Sequence, residues 1–126
     1  MKANTENAEK QAKAQFESIC EMVKDFQSED DEISDETRKE MLDNALSAEM
    51  RSGWVSSQED MEPAEFKILL CWGGPAVRII GELDNGEPSN ARIEYQDWGI
   101  AWTEYYLDLE QEEILLTYCQ QFYFGE

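Results

Sequence analysis

Over the first 26 residues, apolar side chains recur at three- and four-residue steps: Ala8, Ala12, Phe16, Ile19, Cys20, Val23 and Phe26. That period is the period of an α-helix, and it predicts one helix from about Thr5 to Phe26 with a single apolar stripe. Glu6–Lys10 and Glu9–Lys13 stand at the i,i+4 spacing that favours ion pairs, whereas Glu17, Glu21 and Asp25 place like charges at the same spacing. A second helix is expected with Ser34 as its N-cap, because Asp35 and Glu36 would then open it where the helix dipole favours anions. Met41, Leu42, Ala45, Leu46 and Ala48 give it a weak apolar face, and Gly53 offers a stop.

Ser56 to Pro63 reads as a linker, and from Phe66 the period changes to two. Phe66–Trp72 is apolar on both faces toward its end, as in a central strand. Val77–Leu83, Arg92–Asp97 and Ala101–Leu107 follow as strands, separated by Gly73-Gly74-Pro75, by Asp84-Asn85-Gly86 and by Trp98-Gly99. Asp108 with Gln111 fits a capping box for a closing helix whose inner face is Leu115, Tyr118, Cys119 and Phe122. The expected fold is α+β: two N-terminal helices, a four-stranded antiparallel sheet and a C-terminal helix. One domain spans residues 1–126, with a helical part at 1–55 and the sheet with its helix at 64–126.

Charge changes this picture more than any motif does. The chain has 29 acidic residues, 10 basic ones and no histidine, for a net charge of −19 and a pI near 4.1. Solubility asks for a magnitude of only ~2–8 in a small domain, and self-repulsion weakens the compact state. Duplex DNA carries one charge per ~1.7 Å, so 19 charges correspond to roughly 32 Å of duplex, close to the diameter of a domain of this length. Abundant aromatic residues (four Trp, five Tyr, five Phe) set the chain apart from disordered acidic tails.

Several functions fall away on the same grounds. Without histidine, neither a Ser-His-Asp nor a Cys-His nucleophile can be built. Paired carboxylates could hydrolyse glycosides, but among 29 acids their spacing carries no information. No EF-hand or zinc spacing occurs, so no metal and no cofactor is expected. Gly73-Gly74-Pro75 lacks the phosphate-binding patterns and no helix follows it. Direct nucleic-acid binding is opposed by the field, and no apolar run is long enough for a membrane span. Cys20, Cys71 and Cys119 are widely spaced and lie in apolar stretches, as buried thiols do in a reducing compartment. A polar N-terminal stretch without a signal-like apolar run adds to the expectation of a cytoplasmic protein.

Between Lys24 and Arg38 the chain has no base and seven acids. The candidate partner-binding residues are therefore Asp25, Glu29, Asp30, Asp31, Glu32, Asp35, Glu36 and Glu40, joined by Asp97, Trp98, Trp102 and Glu104, where aromatics adjoin carboxylates as in interface hot spots. The segments Leu70-Cys71-Trp72-Gly73-Gly74-Pro75-Ala76-Val77-Arg78-Ile79-Ile80 and Tyr95-Gln96-Asp97-Trp98-Gly99, in so acidic a chain, resemble small anti-defence proteins carried by phages and plasmids. These are anti-CRISPR and anti-restriction inhibitors, several of which imitate DNA. The resemblance is to a class without a common fold, so it transfers no residue roles. It implies a non-enzymatic inhibitor in a host bacterial cytoplasm that occupies the nucleic-acid-binding surface of a Cas or restriction component. An immunity protein or antitoxin against a basic nuclease toxin, and a halophilic housekeeping domain, are the alternatives; a homodimer is left open.

Overall fold

The computed structural model describes residues 5–57, 59, 61–73, 75–97 and 101–122. Helix α1 (Thr5–Phe26) forms where the apolar period placed it. Ala8, Ala12, Phe16, Ile19, Met22 and Val23 are buried, and Cys20 and Phe26 are half-buried. Each large apolar side chain removed from water in this way stabilises by roughly 1.5–3 kcal/mol. α1 packs over the middle of an antiparallel sheet and against both other helices, α2 (Asp31–Asn44) and α3 (Leu109–Cys119).

The sheet contains β1 (Ser47–Ser52), β2 (Pro63–Cys71), β3 (Ala76–Asp84), β4 (Glu87–Pro88), β5 (Arg92–Gln96) and β6 (Thr103–Tyr105). Their order is β1-β2-β3-β5-β6, with the two-residue β4 pairing the far end of β3. The α+β class and the antiparallel sheet are as expected, but the sheet has six strands rather than four. The extra long strand is β1. The sequence places these residues in the second helix, through the apolar positions Ala45, Leu46 and Ala48 and the stop at Gly53, and Ala48, Glu49, Met50 and Arg51 are also helix formers. Pairing with β2 overrides that local preference: Glu49 lies opposite Lys67 and Arg51 opposite Glu65. The described residues between Ser52 and Pro63 thus connect two paired strands.

α2 also begins earlier than expected. Its N-cap is Asp30, whose Oδ1 accepts from the backbone N–H groups of Glu32 (3.0 Å) and Ile33 (3.3 Å). Ser34 lies inside the helix, and its hydroxyl donates to the Phe26 carbonyl at 2.8 Å, fastening α2 to the end of α1. Only Thr37 and Met41 of α2 are buried. The helix stops at Asn44, with Ala45 already extended, so Leu46 and Ala48 never join its apolar face. α3 has the expected capping box, with Asp108 Oδ1 accepting from Gln111 N–H at 2.8 Å and Gln111 Oε1 accepting from Asp108 N–H at 2.9 Å.

Alternation along the strands follows the pleat. Phe66, Ile68 and Leu70 on β2, Val77 and Ile79 on β3, and Ile93 and Tyr95 on β5 face the helices and are buried. The opposite face is covered by no described helix, so β2, interior in the order beside the central β3, is buried on one side only. The Asn85-Gly86 turn has positive φ at both residues (52° and 81°), which is the two-residue hairpin that Asn-Gly favours. The sixth strand is shorter than Ala101–Leu107, and Trp98-Gly99 lies outside the described residues. Cys119 is buried while Cys20 and Cys71 are half-buried; all three are free, and burial raises each thiol above its ordinary pKa. No described helix is long and apolar enough to cross a membrane.

One polar bridge joins the ends of the helical layer. The buried Tyr118 hydroxyl on α3 donates to the Met41 carbonyl on α2 at 3.2 Å and accepts from Asn44 Nδ2 at 3.3 Å. Burial pushes this phenol up to about 12, and the Asn44 contact pulls weakly the other way.

Two outcomes follow from this packing. A methyl group at Gly81 would meet the Asn90 carbonyl oxygen and the Phe66 ring, so Gly81→Ala is expected to destabilise by about 1–3 kcal/mol in urea unfolding. Tyr118 is harder to ionise folded than unfolded, so its contribution is complete below pH 10 and declines as pH rises from about 10 to about 12. Tyr118→Phe should lower neutral-pH stability by ~1–2 kcal/mol while flattening the alkaline fall, as measured by denaturation at pH 7 and pH 11.

Candidate functional site

The two faces of the sheet divide the charge. On the solvent face, the strand register sets cations against carboxylates. Arg51 grips Glu65 with two bonds (Nε–Oε1 3.0 Å, Nη2–Oε2 3.1 Å), Lys67 Nζ lies 3.5 Å from Glu49, and Arg92 Nε lies 3.8 Å from Glu94. Arg78 donates from both Nη2 (2.7 Å) and Nε (2.9 Å) to Glu94 Oε1. Its guanidinium carbon also sits 4.0 Å from the centroid of the Trp102 ring. The hydrogen bond from Arg51 holds Glu65 below the usual carboxylate range and raises Arg51 in turn. These are the ion pairs of the described residues, and all of them lie on this face.

The helical layer is different. Residues 5–44 carry thirteen acids against five bases, and residues 108–113 carry four acids and no base. None of the described acids in these segments makes an ion pair within 4 Å. The expected Glu9–Lys13 pair does not form, since holding two long exposed side chains together gains little over hydration; the Glu6 side chain lies outside the described residues.

Between α1 and α2 a groove of about 460 Å³ is lined by Glu21 and Asp25 from one helix and Glu40 and Asp43 from the other, with Ser18, Met22 and Asn44. Four carboxylates thus line one groove, with no base among its lining residues. Two of them oppose their own helices. Asp25 and Asp43 stand in the last turns of α1 and α2, where the macrodipole disfavours anions by about 0.3–1 kcal/mol each. Asp31 and Glu32, by contrast, stand in the first turn of α2, where the dipole favours them, and Asp30 caps it. Part of the acidity at Asp30–Glu32 therefore has a structural cause, whereas that at Asp25 and Asp43 has none in the fold.

The candidate residues named from the sequence are split by this architecture. Asp25, Glu29, Asp30, Asp31, Glu32, Asp35, Glu36 and Glu40 are all exposed on the α1–α2 hairpin. Trp102 and Glu104 belong to the opposite side of the sheet: Trp102 is half-buried on Arg78, and Glu104 pairs across the strands with Glu94. Asp97 is half-buried just after β5, and Trp98 lies outside the described residues. Glu21 and Asp43 were missed as partners of Asp25 and Glu40. The usable signal was the i,i+4 step from Glu21 to Asp25 and the i,i+3 step from Glu40 to Asp43, each of which puts two acids on one helix face.

The solvent face of the sheet also holds a shallow concavity of about 430 Å³ beside Arg51, Lys67, Arg78, Ile80 and Arg92. Each of those cations is already near a carboxylate. Among the described residues no three Cys, Asp or Glu side chains form a metal-holding group. What the helical side offers chemically is a dense, uncompensated anionic surface for cationic side chains. No protein-family model, curated protein or solved structure matches the chain.

Proposed function

We propose that this protein is a stoichiometric inhibitor whose acidic helical face occupies the nucleic-acid-binding surface of a basic protein. A component of a bacterial defence system, either a CRISPR–Cas complex or a restriction enzyme, is the partner class that fits. The observation carrying the reading is the segregation of charge. Among the described residues the acids of the helical layer make no ion pair, whereas the sheet's cations Arg51, Lys67, Arg78 and Arg92 each lie within 4 Å of a carboxylate. An acidity serving only hydration, as in a halophilic housekeeping domain, would be spread over both faces. Asp25 and Asp43 sharpen the point, because each is retained against its helix dipole beside two further carboxylates.

Lys and Arg side chains that normally hold phosphates would find carboxylates here at comparable density, and long-range attraction would speed encounter. Inhibition would proceed by occupancy, with no bond made or broken. An immunity protein that neutralises a basic nuclease would use the same face, and the identity of the captured partner distinguishes the two.

The test separates binding from folding. Asp25→Lys and Asp43→Lys place cations in last turns, where the dipole favours them, so these changes should leave stability unchanged or raise it by a few tenths of a kcal/mol. Combined with Glu40→Lys, they should cut capture of a nucleic-acid-binding protein from bacterial lysate at least tenfold. The wild-type complex should come off in a rising salt gradient, and the captured partner should lose DNA or RNA binding while the inhibitor is bound. A folded triple variant that captures the same partner equally well, or a complex indifferent to salt, would sink the proposal.

A further inference from the structure

We infer that β1 is a self-association edge, on which a second copy of this chain pairs antiparallel to form one continuous sheet across the dimer. This inference stands apart from the inhibitor reading, since it uses the backbone edge of β1 and none of the four carboxylates that line the α1–α2 groove.

β1 has one described neighbour, β2, so its other side presents a row of unpaired backbone donors and acceptors. Soluble proteins usually protect such an edge with a proline, a bulge that twists it away, inward-facing charge or a covering helix. β1 carries the exposed charges Glu49 and Arg51 but, among the described residues, no proline, bulge, inward-facing charge or covering helix. The irregularity of the β1–β2 pair puts its extra residue on β2, leaving the β1 alternation regular. α1 lies over β3, β5 and β6, away from this edge. The apolar side chains along it are correspondingly open: Leu46 is 61% exposed, Met50 51% and Trp54 fully exposed.

The order of side chains along β1 is self-complementary. A twofold axis at Met50 sets Met50 against its own copy. Glu49 then lies opposite Arg51 of the second chain, and Arg51 opposite its Glu49. These pairs fall on the solvent face and extend a pattern already present in the monomer, where Glu49 faces Lys67 and Arg51 faces Glu65. On the other face the same register sets Ala48 beside Ser52 and brings exposed Leu46 toward exposed Trp54. A slip of one residue would put Glu49 opposite Met50 and lose both ion pairs, so charge selects the register.

Self-association has an electrostatic signature opposite to that of the inhibitor complex. Two bodies of −19 each repel, so added salt should tighten the dimer while loosening any complex with a basic partner. Sedimentation equilibrium of the full chain from about 1 to 200 μM, at roughly 0.05 and 0.5 M NaCl, should show a dimer whose apparent association constant rises at least tenfold with salt. M50K puts two cations face to face on the axis, E49K opposes lysine to Arg51, and R51E opposes glutamate to Glu49. Each variant should be monomeric while retaining the wild-type circular dichroism. Mixing E49K with R51E should restore association, because every solvent-face contact across the axis again joins a cation to a carboxylate. A chain that stays monomeric at the highest concentration in 0.5 M salt overturns the inference and leaves the edge to a strand of another protein. A dimer unaffected by M50K, or single variants that fail to recombine, overturns it equally.

Discussion

Burial of α1 against the middle of the sheet is the contact on which the rest of the molecule depends. Ala8 and Ala12 let the helix approach closely, while Phe16, Ile19 and Val23 supply the apolar area. One helix and its two flanking partners can cover only one side of a sheet. The other side faces water, and its strands alternate accordingly: Phe66, Ile68, Ile79 and Ile93 point inward, and Lys67, Arg78, Arg92 and Glu94 point outward. That asymmetry separates the charges. Cations on strands meet carboxylates on neighbouring strands and pair with them, whereas acids on helices project into solvent beside other acids.

The two sides therefore differ in kind as well as in sign. On the sheet every described cation has a carboxylate partner, and Arg78 is held by both Glu94 and the Trp102 ring. The helical side has four lysines and one arginine among its acids, and no described acid there joins them in an ion pair. Its potential extends outward and is limited mainly by salt. The edge at β1, with Leu46, Met50 and Trp54 exposed, is a third type of surface.

Much of the architecture was legible because it was local. The three- and four-residue spacing from Ala8 to Val23 specified α1, Asp108 and Gln111 specified the start of α3, and Asn85-Gly86 specified a hairpin. The start of α2 was read too late because Ser34 is a good cap; in the fold Asp30 caps the helix and the Ser34 hydroxyl donates to the Phe26 carbonyl instead. β1 was illegible for a deeper reason. Ala48, Glu49, Met50 and Arg51 prefer a helix in isolation, and only Lys67 and Glu65, some fifteen to twenty residues away, make the extended form better. The candidate site followed the same division. The acid-rich stretch from Asp25 to Glu36 could be read directly, but the meeting of Glu21 and Asp25 with Glu40 and Asp43 required the helices to be packed.

The position of each acid relative to its helix also bears on how this chain can drift. Asp30, Asp31 and Glu32 begin α2, and Asp108 and Glu110 begin α3, so folding alone retains them whatever the protein encounters. Asp25 and Asp43 end their helices and hold nothing together. In a lineage released from its partner, those two positions should lose their acids first, and the order in which acids vanish would date the loss of function before the loss of fold.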